Sequence, residues 1–153
     1  SLNRYKEVVH EVVEHESRDA HVLIMAAAVA DFTPEKAQDQ KIKKETGIPA
    51  LTLQPTIDIL KKVSAIRKQT GFPKFLVGFA AESKDLIKNA QKKLESKDLD
   101  LIVANDILAT DAGFEVDTNR VVLLPRKGEP QTLPLMSKQE VADKIIDLIE
   151  QWD

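Results

Sequence analysis

The sequence predicts an α/β domain on a mainly parallel sheet, with helices on both faces and an antiparallel edge pair. Three observations carry this. Short apolar runs alternate with amphipathic stretches of helical period, the pattern of strand–helix–strand units. The last two strand-like runs, "RVVLL" and "QTLPL", are joined through a short turn at Lys127-Gly128, which suits antiparallel pairing and excludes a crossover. The chain opens on a helical pattern, with only three candidate parallel strands. It therefore reads as the second half of a larger domain, since a doubly wound fold ordinarily begins with a strand.

Residues 3–16 carry Tyr5, Val8, Val9, Val12 and Val13 at helical spacing among charges, an amphipathic helix. "HVLIMA", 21–26, is almost wholly apolar and predicts a strand buried on both faces of a parallel sheet. Residues 32–50 are polar and lysine-rich without clear period, and are expected to form a long flexible flap. A helix follows from Thr56 to about Gln69, with Thr56 as N-cap and Ile57, Leu60, Val63 and Ile66 as its apolar stripe. "FLVGF", 75–79, is the second parallel strand. Ser83 to about Ser96 forms a helix with Leu86, Ile87, Ala90 and Leu94 inward. "DLIVA", 100–104, is the third parallel strand, and 105–119 reads as a polar loop. "SKQE", Ser137–Glu140, has capping-box spacing and opens a closing helix to about Gln151. The whole is a Rossmann-like arrangement within one domain, 1–153.

Composition narrows the chemistry. At 153 residues, 42% hydrophobic and 31% charged, the chain has the balance of a globular domain with its own core. It contains no cysteine, which removes disulfides, thiolate catalysis and cysteine-held metals. His10, His15 and His21 lack metal-site spacing. The net charge of −3 speaks against a nucleic-acid surface, because that binding rests on neutralising many phosphates. The apolar run 22–30 is far short of a membrane span of roughly 20 residues. No basic segment precedes it as in a signal peptide, so a cytoplasmic location is expected.

Chemistry is expected beyond the carboxyl ends of the strands, where open α/β sheets bind ligands. The first strand runs into Ala26-Ala27-Ala28-Val29-Ala30-Asp31, the second into Gly78-Phe79-Ala80-Ala81-Glu82, and the third into Ala104-Asn105-Asp106. Each end joins small side chains, which let a ligand approach the backbone, to a carboxylate or amide. Tight helix–sheet packing and helix capping would also explain such residues singly; three ends of the same character favour a ligand site. Lys41-Ile42-Lys43-Lys44 is a dense positive cluster, and Lys93 and Lys97 lie four apart on one helix face. Solvated surface lysines are the ordinary alternative. Together the two groups could neutralise a triphosphate, with Asp31 holding its Mg²⁺. The five scattered glycines form neither a Walker loop nor a G-x-G-x-x-G fingerprint, which disfavours a dinucleotide-dependent oxidoreductase.

"AAAVADF", "KIKK" ten residues after the aspartate, "IDIL", "VGFAAES", "KKLESKDLDLIVAND" and "GFEVDTNRVVLL" closely resemble the bacterial phosphopantothenoylcysteine synthetase domain over about residues 3–152. In many bacteria this is the C-terminal half of a bifunctional coenzyme A biosynthesis flavoprotein. The resemblance implies joining of L-cysteine to 4′-phosphopantothenate through an acyl-nucleotidylate, using CTP (ATP in eukaryotic relatives) and Mg²⁺. It places nucleotide against Met25, Ala26, Ala27, Asp31, Lys41, Ile57, Asp58, Ile59, Leu60, Phe79, Lys93 and Lys97. It gives Lys41 a catalytic role at the phosphates, Asp31 the metal, and Ala27, Ala28 and Asn105 substrate contacts.

Two departures accompany the resemblance. Relatives have proline where this chain has Ile57, which leaves backbone contact as that position's role. They also begin with a strand, a glycine-rich turn and an asparagine-bearing segment that stabilises the acyl intermediate, all upstream of residue 3 here. A shortened synthetase domain, or one part of a split enzyme, is therefore expected. The implied partners are a second copy of the chain and an upstream flavoprotein decarboxylase domain. A non-catalytic nucleotide-binding or assembly module is the alternative.

Overall fold

The computed structural model describes residues 7–35, 50–82, 85–106 and 117–152. Residues 7–18 are helical (α1), but not as a uniform α-helix. Glu11–His15 widens to a π-turn and Glu16–Arg18 tightens to a 3₁₀ turn. Ser17, wholly buried, donates its hydroxyl to the Val13 carbonyl, back-bonding of the kind that distorts a helix.

The central sheet contains β1 (Val22–Met25), β4 (Phe75–Glu82), β5 (Leu101–Asp106), β7 (Val121–Pro125) and β8 (Gln131–Thr132), in the order β1-β4-β5-β7-β8. β1, β4 and β5 run parallel, and β7 and β8 are antiparallel additions. The predicted fold class and edge pair are therefore present. β4 and β5 read as continuous apolar runs because both of their faces are covered. Val9, Val13, Val63, Leu76, Ala80, Leu94, Leu99 and Ile102 build one core beneath α1, α2 (Ile59–Thr70) and α3 (Leu86–Ser96). Val77, Leu101, Val103, Val121 and Leu123 meet Val141, Ile145 and Ile149 of α4 (Lys138–Glu150) on the opposite face.

Several elements depart from expectation. β1 is not a doubly buried strand. Val22 and Ile24 are 37% and 40% exposed, and β1 is paired only with β4 among the described residues. An apolar run looks the same in sequence whether or not neighbours flank it. Part of 32–50 is strand: β2 (Phe32–Pro34) pairs antiparallel with β3 (Leu53–Pro55), while the remainder of the predicted flap, 36–49, lies outside the described residues.

Thr56 does not cap α2. Its Oγ1 donates to the Ala30 carbonyl at 2.6 Å, and Asp58 is the N-cap, accepting from the Lys61 amide at 3.2 Å. α3 starts at Leu86 behind Asp85, and Ile87 is 48% exposed instead of inward. The predicted loop 105–119 contains the end of β5 and a short strand, β6 (Thr118–Asn119), paired with β9 (Met136–Ser137). Its central part, 107–116, is outside the described residues. The capping box at Ser137–Glu140 forms as predicted, with both reciprocal bonds present.

The end of the sheet opposite the carboxyl ends of β1, β4 and β5 is tied by charge. Arg67 pairs with Asp100 at 2.7 Å and donates to the Lys74 and Asp98 carbonyls. Arg126 reaches Asp98 at 2.6 Å and donates to the Leu99 carbonyl. Asp100 Oδ2 also accepts from the Leu76 amide.

Candidate functional site

At the carboxyl ends of β1 and β4 lies a cleft of about 620 Å³, within the size range of small-molecule sites. Its floor is backbone and small apolar side chains: Ala27, Ala28, Val29 and Ala30 follow β1, and Ala80 and Ala81 lie just before the end of β4. Phe79 stands on this floor, and Phe32, Pro55 and Ile57 close another side. The segment after β1 is fixed by long-range bonds, since Thr56 donates from its hydroxyl to Ala30 and from its amide to Asp31. The first turn of α2 enters through Asp58, Ile59 and Leu60. Residues far apart in sequence thus share one wall because β1–β4 pairing and the start of α2 converge there.

Of the predicted residues, Met25, Ala27, Ala28, Asp31, Ile57, Asp58, Ile59, Leu60, Phe79, Lys93 and Lys97 all line this cleft. Ala26 does not line it. Asn105 stands beside Ala81 in the β4–β5 register and accepts from the buried Asn119 amide at 3.3 Å, also outside the lining. Lys41, assigned the catalytic role, lies outside the described residues. Val29, Ala30, Phe32, Pro55 and Thr56 are additional wall residues. For Thr56 the signal was a hydroxyl residue two positions before an equally good cap, leaving it free for another bond.

Both site lysines are held by acids. Lys93 Nζ is 2.7 Å from Glu82 Oε1, and Lys97 Nζ is 3.3 Å from Asp58 Oδ2. Asp31 and Asp58 place two carboxylates on the lining against these two ammonium groups. The described wall therefore carries no surplus of positive charge. Among the described residues no group of three or more histidines, aspartates or glutamates could hold a metal. A single Asp31 carboxylate fits a Mg²⁺ that keeps its waters and arrives on substrate phosphates, and does not fit an all-protein cage. Among the described residues no helix is long and apolar enough to cross a membrane.

A mainly parallel sheet with helices on both faces and a small-residue cleft at its carboxyl rim defines the class: a Rossmann-like α/β domain. Residues 4–152 match the DNA/pantothenate metabolism flavoprotein C-terminal domain family, and the chain belongs to it. The coenzyme A biosynthesis bifunctional protein CoaBC of Bacillus subtilis (strain 168) is 47% identical over 84% of this chain and 30% of its own length. A protein named cysteine/cysteine sulfinic acid decarboxylase, from an unknown prokaryotic organism, is 41% identical over 84% of this chain and 35% of that protein. The crystal structure of the C-terminal domain of CoaBC superposes with a TM-score of 0.72 and 31% identity, covering 96% of this chain and 61% of that one. The chain thus spans about a third of the length of the curated relatives it matches.

Proposed function

We propose that this chain forms the nucleotide- and acyl-binding part of a phosphopantothenate–cysteine ligase of coenzyme A biosynthesis. The observation that carries the reading is convergence. Residues assigned to the nucleotide from widely separated motifs, Met25, Ala27, Asp31, Phe79, Lys93 and Lys97, line one cleft at the strand ends. The CoaBC relatives support the same reaction family.

The carboxylate of 4′-phosphopantothenate is a poor electrophile. Its oxygen attacks the α-phosphorus of CTP, pyrophosphate leaves, and an acyl-cytidylate forms. The amine of L-cysteine then attacks the acyl carbon, the amide bond forms, and CMP carries away the electron pair of the broken C–O bond. Two anions must be held in line, so the protein contributes position and charge.

The alanine floor lets nucleotide and acyl group lie against the backbone. Phe79 offers the one aromatic face among the β4 residues that line the cleft, and Lys93 and Lys97 fix phosphate oxygens. Because the described wall lacks surplus positive charge, Lys41 and its neighbours are assigned to offset the rest of the triphosphate. Mg²⁺ carried on CTP and met by Asp31 would supply Lewis-acid neutralisation of the leaving pyrophosphate. CTP is preferred over ATP by resemblance, and pairing with a second copy belongs to the same proposal.

Calorimetry and a pyrophosphate-release assay test this reading. The chain is expected to bind CTP with Mg²⁺, and to turn over with phosphopantothenate and cysteine when the asparagine-bearing segment of the relatives is supplied. Lys41→Gln in the full-length enzyme should reduce the rate at least about a hundredfold. CTP binding without pyrophosphate release, even with that segment present, would assign the chain to a non-catalytic binding module instead.

A further inference from the structure

Glu82 ends β4 on the same side as Gly78 and Ala80, the face packed by α2 and α3. It is 9% exposed, and its Oε1 lies 2.7 Å from Lys93 Nζ. That oxygen has no hydrogen-bond partner among the described residues: the ammonium meets it off hydrogen-bond geometry, as a contact of charge. A buried carboxylate oxygen without a hydrogen bond depends on its counter-ion, and stranding it is costly. Lys93 is placed differently, with 45% of its side chain exposed at the lining of the cleft. The pair therefore has one anchored member and one presented member.

We infer that Glu82 is a positioning residue that pins the Lys93 ammonium at the cleft for an anionic ligand group. An ammonium has three N–H donors, so contact with Glu82 leaves donors for phosphate oxygens. If Lys93 swung away to follow a ligand, the buried carboxylate would lose its compensation. The ligand must therefore bring its phosphate to a fixed point, which makes the pair a determinant of which anions fit. Lys97 is also paired with an acid, Asp58, the cap of α2, but there both side chains are partly exposed and neither is an anchored member. The inference rests on the nucleotide reading for the identity of the ligand, though not for the pinning itself.

A double-mutant cycle tests it, with CTP and Mg²⁺ titrated into the wild-type chain, Glu82→Gln, Lys93→Met and the double variant at constant ionic strength. Lys93→Met should weaken binding at least about tenfold, because it removes a donor and leaves an uncompensated carboxylate. Adding Glu82→Gln should restore part of that loss, with a coupling of about fivefold or more. Glu82→Gln alone should weaken binding about threefold through lost preorganisation, and Glu82→Asp should recover part of it. Additive effects within about twofold would overturn the inference.

A second measurement needs no nucleotide. ¹³C relaxation of the Lys93 ε-methylene in the ligand-free chain should show an ordered side chain that becomes mobile in Glu82→Gln. Equal mobility in both proteins overturns the pinning even if CTP binds. A wild-type chain that ignores CTP yet shows Glu82-dependent order overturns the nucleotide reading and upholds the pinning.

Discussion

Gly78 lies so close beneath Leu99 that a β-carbon on it would stand 2.8 Å from Leu99 Cδ1, and 3.2 Å from Leu60 Cδ1. Leu99 is 1% exposed and Leu60 7%, so a β-carbon at position 78 requires two buried side chains to shift. Glycine here is a packing requirement of the strand that carries Phe79 and Glu82. Gly78→Val is expected to cost about 3 kcal/mol of stability by overpacking, measured by urea denaturation. A loss below about 0.5 kcal/mol would show that the leucines repack freely.

The alanine floor gives a cleaner test of the site. Ala27 is exposed and lies in the coil after β1, so a larger side chain there has room in the fold but intrudes on the cleft. Ala27→Leu should leave the melting temperature unchanged and weaken CTP binding at least tenfold, about 1.4 kcal/mol. Unchanged affinity would remove the floor from the ligand's contact surface.

Asp98 gives the chain an acid-sensitive contact. Burial acts to raise its pKa, but the hydrogen bond and charge of Arg126, with the charges of Lys68 and Arg67, outweigh it and leave the carboxyl below its usual value. A folded-state pKa below the unfolded one means stability that is fully present above the unfolded value, about 3.9, and is lost as pH falls through the folded value. Asp98→Asn should therefore flatten the fall in melting temperature below about pH 4. At neutral pH it should cost less than about 1 kcal/mol, because the two side chains are 41% and 32% exposed. Asparagine is compatible with the backbone, which has φ +54 at this position. Parallel melting curves for the two proteins across the acid range would contradict this account.

Ser137 and Glu140 close the start of α4 with reciprocal bonds. The Ser137 backbone and hydroxyl hydrogen bonds hold the Glu140 carboxyl below its usual pKa. Ser137→Ala should cost about 1 kcal/mol and return the Glu140 titration, followed by NMR, toward the ordinary glutamate value. A Glu140 titration unmoved in the variant would assign the shift to the backbone N–H of residue 137, which the substitution leaves in place.

Much of this architecture was legible because each parallel strand is a short apolar run followed by a helix of clear period. The capping box was legible because its geometry is local. What failed depended on distant partners. β1 has the composition of a central strand, but only its Leu23 and Met25 face packs on the core, and Val22 and Ile24 stand exposed on the other. Thr56 and Asp58 are both good caps, and the choice was made by Ala30, twenty-six residues earlier, taking the Thr56 hydroxyl. β2 and β3 are three residues each, too short for a periodic signal. In the site, small residues and charges at strand ends are visible in the sequence, Glu82 among them. Its contact with Lys93 was not visible, because that pairing is set by how α3 crosses the end of β4.

The cross-bracing of Arg67, Asp100, Arg126 and Asp98 sits at the end of the sheet away from the cleft. It makes that end the domain's foundation, so adjustments to a ligand are confined to the far rim, where the strand ends in alanines. Amide hydrogens of Leu76, Asp100 and Arg126 should accordingly be among the last to exchange with deuterium, and those around Ala27 to Asp31 among the first.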